Sequence, residues 1–368
     1  MKRRYKILIG TAGVLVAGIG ALMAVTAYDS PCPAAAPTEA GADTMLAVTN
    51  RCYGVPQGIR IEHVTKPVPA DDQVLIKVHA SSVNPAEWHR ISGEPYLMRL
   101  GTGIGAPEGT RAGYDMAGVI ESVGSKVTRF KVGDEVFGGA GAAFAQYTVT
   151  KDTGAIVIKP SNLSFEEAAA MPIAAVTALQ GLRDNGLVKP GHKVLINGAS
   201  GGVGTYAVQI AKAMGAEVTG VCSTRNVELV RSLGADHVID YTRENFTEGQ
   251  VKYDVIIDNV GNHGFFALAD VTQPTGRIVT IGGPKTNPWL GPISRILWRS
   301  VVMGFVEPEL PFFIANITAP DMEYLATLAR EGKLRSAIDR RYPLEETAAA
   351  LEYIGSQRAR GKVVVTVN

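Results

Sequence analysis

A glycine cluster between an apolar strand and an apolar helix constrains the fold of this chain most strongly. The stretch LINGASGGVGTYAVQIAKAMGAEVTGVCSTRNV, from Leu195 onwards, reads as strand, glycine-rich turn, helix and second strand. Glycines let a backbone approach a pyrophosphate closely, and a helix N-terminus offers free N–H groups to the anion. In a βαβ unit this pattern predicts a dinucleotide site, with a ligand-free glycine turn as the alternative. The predicted cofactor-binding residues here are Ala199, Gly201, Gly202, Val203 and Gly204.

The end of the second strand indicates which dinucleotide is bound. A site for NAD usually carries an Asp or Glu about 20 residues beyond the glycines, where it holds the ribose 2′-OH. Here that place holds Cys222-Ser223-Thr224-Arg225. An Arg pairs well with a phosphate, so Ser223 and Arg225 favour NADP(H). The alternative is a surface Arg near a helix start.

The rest of the chain predicts an α/β protein of two domains. Residues 45–172 show short strands separated by Gly and Pro, and residues 173–333 alternate strands with amphipathic helices. That alternation is typical of a doubly wound parallel sheet. The tail 334–368 ends in the strand KVVVTV and is predicted to return to the first domain.

The N-terminus suggests a membrane segment. Basic residues at 2–6 precede an uncharged apolar run from Ile7 to Ala27. A helix of about 20 apolar residues can cross a bilayer, whereas the apolar region of a signal peptide usually has about 7–15 residues. We therefore interpret residues 1–27 as a single-pass anchor, with a cleaved signal as the alternative, and residues 28–44 as a Pro/Ala-rich tether. The positive-inside rule places the globular part outside the cytoplasm, whereas free nicotinamide cofactor is cytoplasmic. The side of the membrane on which the globular part lies therefore stays open.

Composition excludes some partners. The net charge of +1 lacks the basic excess of a nucleic-acid-binding protein. The three cysteines are too few and too scattered for a four-Cys zinc site. They read as ordinary thiols, although Cys32 and Cys52 could pair in an oxidising compartment.

Several further stretches follow one another in a fixed order from about residue 50 to the end. They are VNPAEWHRISG, GYDMAGVIESVGSKVTRFKVGDEVFG, MPIAAVTALQGL, NGASGGVG, GADHVIDY, IDNVG and RARGKVVVTV. Their order and spacing resemble the medium-chain dehydrogenase/reductases, in the zinc-independent quinone oxidoreductase (zeta-crystallin-like) branch. The resemblance implies a GroES-like β domain, a Rossmann domain for NADP(H) and a cleft between them. It also implies a possible homodimer.

The resemblance also suggests individual roles. Zinc-dependent members use an early Cys and a Gly-His-Glu motif, but ASSVNPAEWH lacks Cys and the motif reads Gly113-Tyr114-Asp115, so no metal is expected. Asn84 falls beside the nicotinamide as the catalytic amide, with a turn Asn before Pro85 as the alternative. The remaining cofactor-side positions are Thr177, Tyr241, Asn259, Gly282, Gly283 and Lys362.

The expected reaction is hydride transfer from NADPH to a lipophilic quinone or α,β-unsaturated carbonyl, because such acceptors need little polarisation in the absence of zinc. Two alternatives stay open. One is an NADP-dependent alcohol dehydrogenase. The other is a membrane-tethered NADPH-binding redox sensor or scaffold without turnover.

Overall fold

The computed structural model of the chain describes residues 18, 20–34, 40–283 and 287–367. The strands are β1 Thr44–Asn50, β2 Ile59–Thr65, β3 Gln73–Val83, β4 Asp115–Val123, β5 Glu135–Gly139, β6 Tyr147–Lys151, β7 Ile156–Ile158, β8 Lys193–Asn197, β9 Glu217–Cys222, β10 His237–Asp240, β11 Tyr253–Asp258, β12 Thr272–Thr280, β13 Ile338–Pro343 and β14 Lys362–Thr366. The labelled helices are α1 Pro85–Ser92, α2 Arg99–Thr102, α3 Phe165–Ala169, α4 Pro172–Gln180, α5 Gly202–Ala213, α6 Val227–Ser232, α7 Phe265–Asp270, α8 Ile293–Val302, α9 Ala319–Arg330 and α10 Thr347–Gly355.

A mixed sheet is built around the long strand β3. The sheet has the order β13-β14-β3-β4-β5-β7, and β6 also pairs with β3. Strands β3 and β4 are antiparallel, and β14 pairs antiparallel with β3 through Val363 opposite Val83. Most residues of β3 are buried, because the strand is flanked by strands on both edges and covered on its faces. The end of the chain therefore lies against residues from its first half.

The second sheet is parallel, with five strands in the order β10-β9-β8-β11-β12. Strand β8 is buried from Val194 to Asn197, as expected for a strand covered by helices on both faces. The strand order of this sheet reverses between β8 and β11. In such sheets a ligand binds in the crevice beyond the carboxyl ends of the two strands at the reversal. Strands β1 and β2 form a separate antiparallel sheet of two strands, and the mixed and parallel sheets confirm the predicted α/β fold.

The N-terminus differs from the expectation. Residues 7–17 and 19 of the predicted span lie outside the described residues. Within the described part of the chain, no helix is long and apolar enough to cross a membrane. Helical residues 20–27 end against protein: Thr26 is buried, and the Arg99 guanidinium donates to the carbonyl oxygens of Thr26 and Tyr28. The predicted single-pass membrane localisation is therefore corrected, because the end of the apolar run packs on the folded chain.

Residues Asp29, Ser30 and Cys32 also bind the segment 28–34 to the globular part. Asp29 forms an ion pair of 2.8 Å with the buried Arg99. The N–H of Ser30 donates to the carbonyl oxygen of Gly105 at 2.8 Å. Cys32 and Cys52 form a disulfide, whereas Cys222 is free and buried. The pairing that the sequence left open is thus present in the structure.

Candidate active site

The glycine loop joins β8 to α5. Helix α5 begins at Gly202 after Gly201, and no side chain caps its first turn. The first N–H groups of a helix have no partner within it, so this terminus can receive an anion. A Cβ on Gly204 would lie 2.1 Å from the carbonyl oxygen of Gly198, so only glycine fits there. A Cβ on Gly201 would meet nothing closer than 3.4 Å, which leaves the open side of the loop free for a ligand.

Arginines gather beyond the end of β9. Arg225 is exposed and donates to the carbonyl oxygen of Arg358 at 3.5 Å. Arg360 donates through Nε to Asn226 at 2.7 Å, and Asn226 in turn donates to the hydroxyls of Ser200 and Ser223. Two cationic side chains, Arg225 and Arg360, thus lie beside Ser223, at the place where an adenosine ribose or its phosphate would be held.

A carboxylate also approaches this region. The hydroxyl of Thr224 donates to Asp240 at 2.5 Å, and Thr242 donates to the other carboxylate oxygen. The Thr224 hydrogen bond lowers the pKa of Asp240. Sequence reasoning found no carboxylate here, because Asp240 lies on the neighbouring strand β10 rather than after the glycines. Tyr241, which follows it, is exposed.

A buried polar cluster lies beside the glycine loop, and we call it the Lys362 cluster: Ser82, Asn84, Glu87, Asp115 and Lys362. Lys362 donates to the Asn84 amide oxygen and lies 3.6 Å from Asp115. The Asn84 amide nitrogen donates to Asp115 at 2.8 Å, and the Ser82 hydroxyl donates to the same oxygen at 2.7 Å. The second Asp115 oxygen accepts the N–H of Ile173 at 2.9 Å. Three donors and one cation around Asp115 suit an ionised carboxylate.

The cluster touches the loop directly. A Cβ on Gly202 would lie 3.4 Å from Cδ of Lys362, and Gly201 and Gly361 form an isolated parallel bridge. Asn84 and Lys362, 278 residues apart in the chain, are therefore brought together at the start of α5. The amide oxygen of Asn84 is bound by Lys362, and its amide nitrogen donates to Asp115. The second hydrogen on that nitrogen is only weakly bound, because the Ser82 carbonyl oxygen lies 3.5 Å from the nitrogen.

The loops after β11 and β12 lie on the opposite side of the crevice from the glycine loop. A Cβ on Gly282 would lie 2.0 Å from the carbonyl oxygen of Asn259, so these loops pack backbone to backbone. The amide oxygen of Asn259 and the hydroxyl of Thr280 are buried without a hydrogen-bond partner. Gly283 lies against Pro292. Orphaned polar atoms beside a glycine cradle fit a ligand with hydrogen-bonding groups, such as a nicotinamide dinucleotide.

Thr177 is half-buried on α4, and its hydroxyl donates to the carbonyl oxygen of Ile173 at 2.7 Å. Ile173 is the residue whose N–H binds Asp115, so Thr177 belongs to the helix that supports the Lys362 cluster. Ala199 is buried, and its N–H donates to Val221 at 2.9 Å. Val203, within the first turn of α5, is half-buried.

A metal fits these residues poorly. No group of three or more His, Cys, Asp or Glu that could hold a metal occurs among the described residues. At Asp115, the carboxylate already faces the ammonium of Lys362, whose charge opposes a bound cation. Zinc prefers three or four Cys, His or carboxylate ligands, which this cluster does not supply.

Sequence reasoning missed several residues of this site. Ser82 and Glu87 carried no signal of burial, although Glu87 occupies the third position of a helix that starts after Asn84, a pattern typical of a capping box. Asp115, which sequence reasoning named only as the last residue of the Gly113-Tyr114-Asp115 motif, anchors the cluster. Arg295 forms a buried ion pair with Asp258 just before Asn259, a contact that no local pattern indicates.

Two family models and several curated relatives match this chain. Residues 70–172 match the alcohol dehydrogenase GroES-like domain family, and residues 233–365 match a family described as zinc-binding dehydrogenase. The chain is 34% identical over 330 residues to the 2-methylene-furan-3-one reductase of Solanum lycopersicum, covering 85% of this chain and 76% of that protein. It is 33% identical to the chloroplast envelope quinone oxidoreductase homolog of Arabidopsis thaliana, covering 83% and 93%.

Solved structures agree with these relatives. The quinone oxidoreductase of Coxiella burnetii superposes with a TM-score of 0.77 at 31% identity, covering 88% of this chain and all of that one. The CurK enoyl reductase superposes with a TM-score of 0.76 at 28% identity, covering 88% and 99%. The fold, the glycine loop and these relatives together establish that the chain belongs to the medium-chain dehydrogenase/reductase superfamily, in its quinone oxidoreductase branch.

Proposed function

We propose that this protein is an NADP(H)-dependent, zinc-independent reductase that transfers hydride to a quinone or an α,β-unsaturated carbonyl compound. The observation that carries the proposal is the contact between the glycine loop and the Lys362 cluster, which joins a dinucleotide-binding turn to buried polar groups. Relatives are named quinone oxidoreductase, alkenal/one oxidoreductase and trans-enoyl reductase, which share conjugated acceptors.

The side chains have distinct tasks in this proposal. The nicotinamide supplies the hydride when the cofactor is bound. The uncapped start of α5 at Gly202, Val203 and Gly204 binds the pyrophosphate through backbone N–H groups. Asn259 and Thr280 offer unpaired polar atoms to the cofactor. Gly282 and Gly283 let their loop approach it, and Thr177 supports the opposite side.

Asn84 is proposed as the amide that polarises the substrate carbonyl. Its first amide hydrogen is bound to Asp115, and the second is available to a substrate oxygen, since its contact to Ser82 is 3.5 Å long. Lys362, held by Asn84 and Asp115, adds positive charge beside the place where negative charge develops on the acceptor. Burial of the cluster strengthens both effects, because the local dielectric constant is low.

We propose NADP(H) rather than NAD(H) as the cofactor because two arginines lie beside Ser223. Arg225 and Arg360 suit the 2′-phosphate, with Tyr241 at its edge. Asp240 opposes this preference in principle, but the hydroxyls of Thr224 and Thr242 engage its carboxylate.

We also propose that residues 45–172 and 334–368 form the substrate-side domain and residues 173–333 the cofactor domain, which the pairing of β14 with β3 supports. A homodimer stays a prediction from the family resemblance.

The test uses the full chain, since residues 26–32 bind to the globular part. Oxidation of NADPH is followed with quinones, enals, enones and simple ketones as acceptors, each with and without EDTA. Fast oxidation by quinones or enones that EDTA leaves unchanged supports the proposal. EDTA-insensitive oxidation of alcohols by NADP, without enone reduction, indicates the alcohol dehydrogenase instead. Tight NADPH binding with no turnover on any acceptor indicates a sensor or scaffold.

A further inference from the structure

Glu87 is an unusual member of the Lys362 cluster, because one of its oxygens has no partner. Its Oε2 accepts the N–H of Asn84 at 2.9 Å, which closes the capping box of α1. Its Oε1 is buried without a hydrogen-bond partner, and the residue is only 7% exposed. An ionised carboxylate in this position would leave a charged oxygen buried without a partner. A protonated carboxyl group would leave only a neutral polar atom there, which costs much less free energy.

Charge counting across the cluster points the same way. With Asp115 ionised and Lys362 charged, the pair is neutral, and an ionised Glu87 would add an unbalanced negative charge. Burial, together with the nearby Asp115, raises the pKa of Glu87 to about 8, although Lys362 opposes the change. Burial lowers the pKa of Lys362, which the two carboxyl groups oppose. Both the orphaned oxygen and the charge balance therefore favour the protonated form of Glu87.

The charged groups that act on Glu87 come from two strands. Asp115 acts from β4 and Lys362 from β14. Helix α10, which packs on α1, carries Glu352 and Tyr353. Glu352 is exposed, the Tyr353 hydroxyl donates to Asp339 at 2.7 Å, and neither contributes to the shifted pKa of Glu87. Asp115 and Lys362 therefore dominate its environment.

We propose that Glu87, kept in its protonated form, is a positioning residue that holds Asn84 and Lys362 beside the glycine loop and thereby supports cofactor binding. The proposal rests on the proposed function and deepens it, because it assigns a role in that site to a residue outside the cofactor's direct contacts. The path from Glu87 to the loop is short: Glu87 binds the Asn84 backbone, Asn84 binds Lys362, and Lys362 Cδ faces Gly202.

Ionisation of Glu87 has two consequences in this arrangement. The new negative charge draws the Lys362 ammonium away from Asn84, so the side chain against Gly202 shifts. It also makes the potential at the loop more negative, which repels the anionic dinucleotide. Cofactor affinity should therefore fall as pH rises through about 8.

The experiment measures the Kd of NADPH by nicotinamide fluorescence for the full chain between about pH 6 and about pH 10. Wild-type protein is compared with Glu87→Gln, which keeps an acceptor for the Asn84 N–H but cannot ionise. The matched control is Glu167→Gln, since Glu167 accepts the N–H of Ser164 at the same capping position and at the same 2.9 Å distance, but outside the cluster.

We expect the wild-type Kd to rise at least about threefold across this range, within the limit of about tenfold per pH unit that a single ionisation allows. Glu87→Gln should remove that rise, and Glu167→Gln should keep it. Glu87→Asp, which can still ionise, should also keep a rise. Lys362→Arg should keep it as well, since Arg does not titrate in this range.

Three results would overturn the proposal: a wild-type Kd independent of pH, a rise that survives in Glu87→Gln, or a rise that disappears in Lys362→Arg. Failure of the wild-type protein to bind NADPH at every pH would instead reject the proposed function, and the role of Glu87 in cofactor binding with it. That result is distinct from binding that is tight but indifferent to pH. A loss of folding in Glu87→Gln, seen by circular dichroism, leaves Glu87→Asp and Lys362→Arg to decide.

Discussion

Arg295 and Asp258 form an ion pair of 2.5 Å in which both side chains are buried. Arg295 comes from α8, and Asp258 is the last residue of β11, an interior strand of the parallel sheet. The same guanidinium donates to the carbonyl oxygens of Gly261 and His263, and Asp258 accepts the N–H of Gly261 at 2.9 Å. The pair thus fixes the loop that carries Asn259 at the edge of the candidate site.

The first prediction concerns this pair. Arg295→Met leaves the Asp258 carboxylate buried without its cation, and breaking a buried pair in this way typically costs about 3–5 kcal/mol. Urea unfolding should show that loss, and NADPH binding should weaken because the Asn259 loop is released. Arg299→Met, on the same helix but half-exposed, is the control and should cost less. Equal losses in the two variants would contradict the role given to the pair.

How far could the sequence predict such contacts? The glycine spacing and the strand–helix alternation follow local periodicities, so the Rossmann part and its loop were predictable. The Lys362 cluster joins residues 278 positions apart, and no local pattern pairs Asn84 with Lys362 without the family resemblance. Glu87 lies in a visible capping-box pattern, but the charged groups that act on it, Asp115 and Lys362, lie on strands β4 and β14, further along the chain.

The N-terminal expectation failed for a related reason. Hydropathy measures how apolar a run of residues is, but it does not show which residues of the folded chain the last residues of that run contact. Arg99 is buried and stacks on the rings of Tyr53 and Tyr96, with its guanidinium carbon 4.2 Å and 4.6 Å from their centroids. A buried arginine that needs carbonyl partners receives them from Thr26 and Tyr28. Such a docking site is invisible in a hydropathy profile.

The second prediction separates two glycines of the same loop. Gly204→Ala places a methyl group 2.1 Å from a backbone oxygen and should destabilise the protein by about 1–3 kcal/mol. Gly201→Ala has room, with 3.4 Å to its nearest neighbour, and its φ of −83° suits alanine. It should therefore fold with an unchanged Tm while its methyl group weakens NADPH binding. Normal NADPH affinity in Gly201→Ala would place the cofactor elsewhere.

The third prediction concerns cofactor choice. Arg225→Ala should weaken NADPH binding by about 10- to 100-fold, the range of a lost hydrogen bond to a charged group, and leave NADH almost unaffected. Arg243→Ala is the control, since Arg243 is exposed and pairs with Asp240 at 3.4 Å. Isothermal titration with both nucleotides gives the ratio. Equal losses for NADPH and NADH would remove Arg225 from the phosphate site.

The fourth prediction concerns the Cys32–Cys52 disulfide. The bond closes a loop with a sequence separation of 20 residues, and removing such a link typically costs about 2–4 kcal/mol. Adding a reductant should lower the Tm of the wild-type protein and leave Cys32→Ser unchanged. The free Cys222 is buried and should not respond. A wild-type Tm that ignores the reductant would show that this link adds no stability.

The fifth prediction follows from the sign of the Glu87 shift. Its pKa is raised from 4.5 to about 8 in the folded protein, so the unfolded chain loses this proton first as pH rises. Between these two values the free energy of unfolding should therefore fall with increasing pH, by at most roughly 1.4 kcal/mol per pH unit, and then level off. Glu87→Gln removes this contribution, so its stability advantage over the wild type should grow from about pH 4.5 to about pH 8. Urea unfolding of both proteins, with Glu167→Gln as control, measures the difference. A difference that stays constant with pH would mean that Glu87 ionises in the folded protein as it does in the unfolded chain.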